Sequence, residues 1–323
     1  MKLKVGIIGG AGYTAGELIR LLINHPEVEI NFVQSTSNAG NRITQVHGGL
    51  TGETDLVFSD TFSFDGIDAI FLCSAHGDSR KFIENHHLPK SIKIIDLSTD
   101  FRHKDTADGF VYGLPELNKS SIQKALRIAN PGCFATAVQL ALLPLAANNL
   151  LKDEIHVNAI TGSTGAGVKP VVTAHFSWRA DNISIYKPFE HQHLQEITES
   201  LMQLQPEWSS PINFIPVRGN FTRGIFASAY TACDLQQEEI KKLYSDFYRD
   251  AAFTFVSDKN PDLKQATNTN KCILYPEKHG NKLLIISVID NLLKGASGQA
   301  VQNFNLMFGL DEKTGLKLKA NGF

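Results

Sequence analysis

The first half of the chain alternates short apolar runs with helical segments. Apolar runs, each followed by a polar loop, predict strands at residues 3–8, 29–33, 69–73 and 93–97. An apolar helix through Ile23 joins the first two. Continuous apolar strands separated by helices are typical of a parallel sheet covered on both faces. The pattern therefore predicts an α/β domain, whose ligands bind at the carboxyl ends of its strands.

A glycine-rich turn, G-G-A-G-Y-T-A-G-E-L, joins the first strand to its helix. Gly9 permits a tight turn, Gly12 lets the backbone approach a pyrophosphate, and Ala15 keeps the helix close to the sheet. The phosphates would lie at the helix N-terminus, beside Tyr13 and Thr14. The same spacing alone would also fit another doubly wound protein. Because it opens a complete βαβ unit, we predict a dinucleotide site.

The loop after the second strand indicates which dinucleotide binds. NAD sites usually carry an acidic residue here, but this loop reads Q-S-T-S-N-A-G-N-R. Hydroxyls and an arginine suit a 2′-phosphate, so NADP(H) is the predicted cofactor, with Ser37 and Arg42 as contacts. The alternative is a solvated polar loop. The loop after the predicted strand at residues 69–73 is expected to lie along the cofactor, with Ser74 and Ala75 as contacts.

The stretch N-P-G-C-F-A-T places Cys133 at a loop-to-helix junction. Pro131 and Gly132 end the preceding segment, and the apolar run from Phe134 predicts a buried helix. In the first turn of a helix, the dipole and unpaired N–H groups stabilise a thiolate and can hold an oxyanion. Cys133 is therefore the predicted nucleophile; the alternative is an inert buried cysteine.

The second half changes to alternating strands and longer loops. Strands are predicted at 155–161, 213–217, 224–233 and 283–290, which favours a mostly antiparallel sheet in an α+β domain. The loop T-G-S-T-G-A-G after the first of them can bring backbone N–H groups to a ligand. The last helix is expected to return to the first domain. We predict a Rossmann-type domain at 1–135 and 296–323, and a catalytic and dimerisation domain at 136–295.

Composition and charge narrow the class of protein. The chain has 323 residues, 42% hydrophobic and 20% charged, with a formal net charge of -2. Near-neutral charge gives no reason to expect a nucleic-acid partner, and no apolar run reaches the about 18 residues that span a bilayer. No signal peptide precedes the first strand, so a cytoplasmic protein is expected. The four cysteines lack C-x-x-C spacing, and no metal is predicted.

Taken in order, the motifs G-G-A-G-Y-T-A-G-E-L, D-L-S-T-D-F-R, V-Y-G-L-P-E-L, N-P-G-C-F-A-T and N-L-L-K-G-A-S-G-Q-A-V-Q-N-F-N-L-M resemble the N-acetyl-gamma-glutamyl-phosphate reductase family. The similarity runs from Val5 to about Leu310. The family belongs to the wider aspartate-semialdehyde dehydrogenase group, which shares the cysteine and the two-domain plan. The resemblance implies an NADPH-dependent enzyme of arginine biosynthesis that assembles as a homodimer or homotetramer.

The resemblance also implies a reaction. Cys133 would attack the acyl phosphate, expel phosphate and form a thioacyl enzyme; hydride from NADPH would then give a thiohemiacetal that collapses to the semialdehyde. Arg102, which follows the fourth strand, is the candidate residue that binds the leaving phosphate. The alternative is that it is only a charged residue at the surface. Further expected substrate contacts are Asn130, Ser163, Glu196, Arg218 and Arg223. Further expected cofactor contacts are Gly165, Asn291 and Lys294.

The chain departs from the family at one catalytic position. Members carry a histidine after a proline in a P-H-x-x-P-x-x-R-G segment, as general acid/base, but Val217 stands there. Three explanations stay open. Another residue acts as the general acid/base, the helix N-terminus and nearby cations suffice to hold the thiolate, or the protein has lost its activity. His191 and His193 are the candidate replacements. Because they are two residues apart, their side chains would point in different directions on a helix. The alternative to a catalytic role is that one histidine is structural and the other faces solvent.

Arg218 replaces a residue that is usually apolar in the family's substrate-facing segment. N-succinyl differs from N-acetyl by an extra carboxylate, and a bidentate arginine contact selects a carboxylate. The alternative is an arginine in solvent or paired with an acidic neighbour. Three other functions stay open besides the N-acetyl reaction: the same reaction on the N-succinyl substrate, another semialdehyde dehydrogenase, and a non-catalytic NADP-binding paralogue.

Overall fold

Each of two units of the chain contains one seven-stranded sheet. The computed structural model describes residues 1–322. Unit 1 comprises residues 1–131 and 296–317, and unit 2 comprises 132–295 and 318–322. The strands are β1 (Leu3–Ile8), β2 (Val28–Gln34), β3 (Phe58–Ser59), β4 (Ala69–Leu72), β5 (Lys93–Asp96), β6 (Val111–Tyr112), β7 (Arg127–Ala129), β8 (Ile155–Thr161), β9 (Ser184–Ile185), β10 (Ile212–Arg218), β11 (Ile225–Ala232), β12 (Thr254–Val256), β13 (Cys272–His279) and β14 (Lys282–Ile289). The α-helices are α1 (Tyr13–Leu22), α2 (Ile43–Val46), α3 (Asp78–Asn85), α4 (Pro115–Lys124), α5 (Cys133–Ala146), α6 (Phe176–Arg179), α7 (His193–Leu204), α8 (Gln237–Phe247) and α9 (Gly298–Met307).

Unit 1 is built on a parallel sheet in the order β3-β2-β1-β4-β5-β7-β6. The central strands β1, β4 and β5 are almost entirely buried, because helices cover both faces of such a sheet. Helix α9 packs on α1, α4 and β5, and all ten of its residues are buried. Its asparagines are held by specific partners: Asn305 Oδ1 lies 3.0 Å from His25 Nε2, and Asn303 donates to the Gly113 carbonyl at 2.8 Å. These bonds let polar residues occupy a buried helix.

Unit 2 contains a mixed sheet in the order β12-β13-β14-β11-β8-β10-β9. Strand pairs β8–β10 and β12–β13 are parallel, and the other neighbours are antiparallel. The predicted class, a Rossmann-type domain followed by an α+β domain with a mostly antiparallel sheet, is confirmed. The predicted strands at 213–217, 224–233 and 283–290 are each within one residue of β10, β11 and β14 at either end. Strand β13 lies outside the four strands predicted for this half.

Helix α5 is the buried centre of unit 2. It packs on α7, α8, β11, β13 and β14, and every residue after its first is buried. Pro144 lies inside it and has no N–H, so the carbonyl of Leu140 has no partner in the helix. The hydroxyl of Tyr248 donates to that carbonyl at 2.5 Å, and the hydroxyl of Tyr244 donates to the neighbouring Ala141 carbonyl at 2.6 Å. Two tyrosines therefore compensate for one proline.

We expect Tyr248→Phe to lower the free energy of unfolding by about 2 kcal/mol, because the buried Leu140 carbonyl would lose its donor. Urea denaturation monitored by circular dichroism measures this change. Tyr230→Phe is the matched control, since Tyr230 is 42% exposed, and it should stay within about 0.5 kcal/mol of the parent. Equal stability of the two variants would contradict the role given to Tyr248.

Candidate active site

Cys133 is the first residue of helix α5, as predicted from the N-P-G-C motif. Gly132 precedes it in extended backbone, and the first turn carries no acidic side chain that would oppose a thiolate. Gly295 approaches from the turn after β14: a Cβ built there would lie 2.8 Å from Cys133 Cβ. Any larger residue at position 295 would therefore displace the cysteine. The thiol is partly exposed at a helix N-terminus, where a thiolate is stabilised.

The imidazole of His193 lies against the backbone just before the thiol. A Cβ built on Gly132 would meet His193 Nε2 at 2.3 Å, so the ring occupies the space that a side chain there would need. Glu196, 1% exposed, accepts a hydrogen bond from the Gly132 N–H at 2.9 Å through Oε2. Its Oε1 lies 3.8 Å from His193 Nε2. A histidine and a carboxylate thus converge on the residue before Cys133.

His191 occupies an aromatic cluster. Its ring contacts Phe134, Tyr186, Phe214 and His193, with centroids 4.6 to 5.7 Å away. The expectation that spacing on a helix separates the two histidines is wrong, because α7 begins at His193 and His191 precedes it. Neither faces solvent: both are under 9% exposed. The His191 Nδ1 accepts the His193 N–H at 3.2 Å, which places the proton of the neutral ring on Nε2.

Burial, followed by the positive charge of Lys187, lowers the pKa of His191 to about 4. The ordinary pKa of a histidine is about 6.5, so between these values the unfolded chain binds a proton that the folded chain does not. The contribution of the neutral His191 ring to the free energy of unfolding is therefore fully present above about pH 6.5. It is lost as the pH falls to about 4, and it amounts to roughly 3 kcal/mol.

We expect His191→Asn to flatten this part of the pH dependence, because an amide oxygen can accept the His193 N–H but does not titrate. Urea unfolding of both proteins at pH 7 and pH 4.5 measures the difference. Other groups titrate in both proteins, so the comparison isolates His191. An unchanged slope between the two pH values would refute this assignment.

Two arginines lie close together near β10. Arg218 stacks on the Tyr186 ring at 4.4 Å from its centroid and donates to Thr173 Oγ1 at 2.6 Å. Arg179, 7% exposed, donates to the Arg218 carbonyl at 2.9 Å. Of this group, sequence reasoning found only Arg218. The other members come from distant parts of the sequence, and no local motif marks them.

Arg223 makes a bidentate ion pair with Asp290, at 2.8 Å from Nε to Oδ2 and 3.1 Å from Nη2 to Oδ1. Asp290 is fully buried and also accepts N–H groups from Leu292, Leu293 and Asn268. Arg223 thus has a structural role, and its contact with the substrate stays a prediction. Asp290 was not predicted from the sequence. The feature that could have indicated it is an acidic residue directly after an apolar strand.

The predicted ligand loop after β8 is tied to its neighbours. Ser163 lies in a 3₁₀ turn, Ser163–Ala166, that includes Gly165, and the Ser163 N–H donates to the Phe221 carbonyl at 2.9 Å. Asn291 donates to Thr164 Oγ1 at 3.1 Å and accepts the Gly224 N–H at 2.6 Å, so both ends of its amide are engaged. Lys294 is fully buried in the π-helical turn Leu293–Ser297. Their cofactor roles stay predictions.

The glycine turn of unit 1 has the geometry of an anion cradle. Gly9 has φ 79°, and a Cβ there would meet the Ser74 nitrogen at 2.9 Å. Gly12 precedes α1, and a Cβ there would meet nothing within 4 Å. The helix start at Tyr13, Thr14 and Ala15 has no side-chain cap and no acidic residue. Open space before an uncapped helix N-terminus fits a pyrophosphate.

The polar loop after β2 lies beside this turn. Gln34, at the end of the strand, accepts the Gly9 N–H at 3.2 Å and donates to Thr36 Oγ1. Ser37 lies in the 3₁₀ turn Thr36–Asn38, and Arg42 pairs weakly with the exposed Asp55 at 3.5 Å. The loop carrying Ser74 and Ala75 follows β4 at the adjoining strand end. This edge of the sheet therefore offers hydroxyls and a cation.

Two predicted substrate residues of unit 1 are deeply placed. Arg102, 7% exposed, donates to the Leu97 carbonyl at 2.8 Å, and its charge opposes the burial that raises the pKa of Asp96. Asn130, 1% exposed, donates to the Ala296 carbonyl and accepts from Asn303, each at 3.0 Å. Both have structural roles, and their contacts with substrate stay predictions.

Known relatives cover almost the whole chain. The protein is 70% identical over 320 residues to the N-acetyl-gamma-glutamyl-phosphate reductase of Azobacteroides pseudotrichonymphae, covering 99% of each chain. It is 64% identical to the enzyme of the same name from Parabacteroides distasonis, over 99% of this chain and 100% of that one. The chain belongs to the N-acetyl-gamma-glutamyl-phosphate reductase family. It is thus an oxidoreductase, and the predicted family is confirmed.

Two family models match successive parts of the chain. Residues 4–125 match the semialdehyde dehydrogenase NAD binding domain, and residues 133–291 match the semialdehyde dehydrogenase dimerisation domain. Among solved structures, aspartate semialdehyde dehydrogenase II of Vibrio cholerae complexed with ASA has a TM-score of 0.74 at 16% identity, over 96% of this chain and 99% of that one. The Candida albicans enzyme with NADP has a TM-score of 0.70 at 14% identity, over 95% and 99%. At such identities they share the fold.

Val217, where the resemblance to the reductase family predicts a histidine, is buried at 6% exposure. Side chains alternate along β10, so Val217 points to the face opposite Phe214 and Arg218. Phe214 contacts His191 and the first turn of α5, which places the cysteine on its face. Within residues 1–322 no group of His, Cys, Asp and Glu is arranged to hold a metal, and no helix is long and apolar enough to cross a membrane.

Proposed function

We propose that the protein reduces N-acetyl-L-glutamyl 5-phosphate to N-acetyl-L-glutamate 5-semialdehyde with NADPH, releasing phosphate, as a step of arginine biosynthesis. The full-length relatives carry the name of this reaction. One observation carries the proposal to this chain: Cys133 opens a buried helix between two glycines, 132 and 295, that leave no room for a side chain. Such close packing holds the thiol in one position.

Cys133 serves two steps, as the nucleophile that forms the thioester and as the leaving group when the thiohemiacetal collapses. Its thiolate attacks the acyl carbon, the bond from that carbon to the phosphate oxygen breaks, and the leaving phosphate takes up the proton that the thiol lost, so that it departs as the dianion. NADPH, when bound, supplies the hydride that reduces the thioester. The N–H groups at the start of α5 stabilise the negative oxygen of the resulting thiohemiacetal. Its collapse returns the thiolate and releases the aldehyde.

His193 replaces the histidine that the family carries at position 217. It lies against Gly132, the residue before Cys133, and the buried Glu196 carboxylate, with Oε1 3.8 Å from His193 Nε2, orients the ring. The neutral His193 imidazole takes the proton from the thiol, and the imidazolium so formed holds the thiolate as an ion pair. His191 does not suit this work, because its lowered pKa makes it a weak base.

The cofactor is NADPH rather than NADH. The matched NAD binding domain and the cradle at Gly12 support a nicotinamide dinucleotide. No acidic side chain stands at the end of β2, where Gln34 is held by Gly9, and the following loop offers Ser37 and Arg42 to a 2′-phosphate.

We expect Arg42→Ala to lower kcat/KM for NADPH about tenfold and to leave kcat/KM for NADH unchanged, because NADH lacks the 2′-phosphate that Arg42 contacts. Initial rates with each cofactor measure this. Arg20→Ala is the control: Arg20 is a partly exposed arginine of the same unit whose guanidinium pairs with Glu17. An equal loss with both cofactors would refute the 2′-phosphate contact.

The protein works as a homodimer or homotetramer in the cytoplasm. The matched dimerisation domain supports assembly, and unit 2 exposes apolar side chains within a single segment of the chain: Val172, Phe176, Ile183, Ile185 and Phe189 are each at least 57% exposed. Its four cysteines are all free thiols, which suits a reducing compartment.

The proposal is tested by phosphate-dependent reduction of NADP by the purified protein with N-acetyl-L-glutamate 5-semialdehyde, which runs the reaction in reverse. Turnover with this aldehyde and none with aspartate semialdehyde is the expected result. Preference for aspartate semialdehyde would make the chain a different semialdehyde dehydrogenase. NADP binding without turnover of either aldehyde would make it a non-catalytic relative.

A further inference from the structure

Arg179 and Arg218 form a pair of guanidinium groups without an acidic partner. Within residues 1–322 neither lies in an ion pair with an aspartate or glutamate. All the partners of Arg179 are neutral: the carbonyls of Thr173, Asn182 and Arg218 and the hydroxyl of Ser184. Arg218 donates to the Thr173 hydroxyl. Two positive charges held close together without an anion are unfavourable, and a bound anion would remove that cost.

The pair is built rather than incidental. Arg179 is 7% exposed, and its five hydrogen bonds tie the segment around α6 to the end of β10. Burial, followed by the charge of Arg218, lowers the pKa of Arg179, in agreement with their proximity. Arg218 is only partly buried and is held by Tyr186 below it and Thr173 beside it. Arg218 is thus oriented, and the residue is partly exposed.

Arg218 lies on the same side of the sheet as the reacting cysteine. It shares a face of β10 with Phe214, whose ring packs 5.3 Å from Phe134, the residue after Cys133. Tyr186 lies within electrostatic range of Cys133 and stacks under Arg218. Successive ring contacts lead from Phe134, the residue after Cys133, through His191 and Tyr186 to the Arg218 guanidinium. A ligand group bound there belongs to a part of the substrate remote from its reacting carbon.

Building on the proposed function, we infer that Arg218, supported by Arg179, binds a carboxylate at the end of the substrate's N-acyl group. Besides the N-acetyl substrate of the proposed function, the protein then accepts, and prefers, an N-acylglutamyl phosphate whose acyl group is a dicarboxylic acid, such as succinyl. An acetyl group ends in a methyl and offers nothing to a guanidinium. The α-carboxylate is closer to the reacting carbon along the chain, so the remote position of Arg218 favours the acyl end. A planar guanidinium binds a carboxylate through two parallel hydrogen bonds.

The test compares kcat/KM for N-succinyl- and N-acetyl-L-glutamate 5-semialdehyde in the parent protein, Arg218→Leu and Arg218→Lys. We expect the parent to prefer the succinyl substrate. Arg218→Leu should lose about 100-fold with succinyl and less than about threefold with acetyl, as expected for a charged hydrogen bond. Arg218→Lys keeps the charge without the paired geometry and should fall between. Lys187→Gln removes a neighbouring exposed charge and should leave the ratio of the two kcat/KM values unchanged.

An equal loss with both substrates would overturn the inference, because it would assign Arg218 to the shared α-carboxylate or to the fold. An unchanged ratio in Arg218→Leu would overturn it as well. Binding gives a readout that does not need turnover: calorimetry of N-succinyl- and N-acetyl-L-glutamate with Cys133→Ser. At least tenfold tighter binding of the succinyl compound, abolished by adding Arg218→Leu, supports the site even if the proposed reaction fails. Equal binding of the two compounds overturns it even if the reaction succeeds.

Discussion

Cys133→Ser is expected to lower kcat/KM by about 10⁴-fold or more in either direction of the reaction. A serine hydroxyl in the same place has a far higher pKa than a thiol, so the helix N-terminus and His193 cannot hold it ionised. It also leaves poorly from a hemiacetal, so the second step fails with the first. Stopped-flow absorbance of NADPH at substrate concentrations well below KM measures the loss. Cofactor binding should be unchanged, because the substitution alters only the nucleophile.

Cys233→Ser is the matched control, since it makes the same exchange of sulfur for oxygen at a buried cysteine at the end of β11. It should retain at least about half of the parent kcat. A further readout is alkylation: the parent should react with one equivalent of iodoacetamide in step with loss of activity. Retained turnover in Cys133→Ser would remove the thioacyl mechanism altogether.

Local patterns predicted those parts of the fold in which neighbouring residues decide the structure. The run from Leu3 to Ile8 followed by Gly9 specifies a strand and a turn through hydrophobicity and a positive φ alone. Pro131 and Gly132 ahead of an apolar run likewise placed Cys133 at a helix start. Strand β13 escaped prediction because Pro276 interrupts it. The structure accommodates this proline at a register position opposite Ile285.

The site was less predictable, because its pairs are formed by tertiary contacts. Arg223 and Asp290 are 67 residues apart, and the Gly132 N–H meets Glu196 from 64 residues away. The two histidines were interpreted on the assumption of a continuous helix, and the true start of α7 at His193 brought their rings together. Motifs located the residues; the contacts that give them a charge state or an orientation needed the structure.

The prediction for Gly132→Ala follows from one such contact. The φ of Gly132 is -70°, so alanine suits its backbone, and its N–H can still donate to Glu196. The new methyl group would lie 2.3 Å from His193 Nε2, which no pair of atoms tolerates, so the imidazole must move. We expect kcat to fall about 10²-fold, the typical cost of displacing a catalytic group by about 1 Å. Steady-state rates at saturating substrate measure this.

Gly49→Ala is the control, because a Cβ at this exposed glycine meets nothing within 4 Å, and its kcat should be unchanged. His193→Gln alone should lose about as much as Gly132→Ala, again about 10²-fold. If the methyl group acts only by moving the imidazole, the double variant should lose no more than either single one, since the two changes remove the same interaction. Losses that multiply in the double variant would mean that Gly132 and His193 act separately. An unchanged kcat in His193→Gln would remove its assignment as the partner of the thiol, and the helix N-terminus with its neighbouring cations would have to hold the thiolate alone.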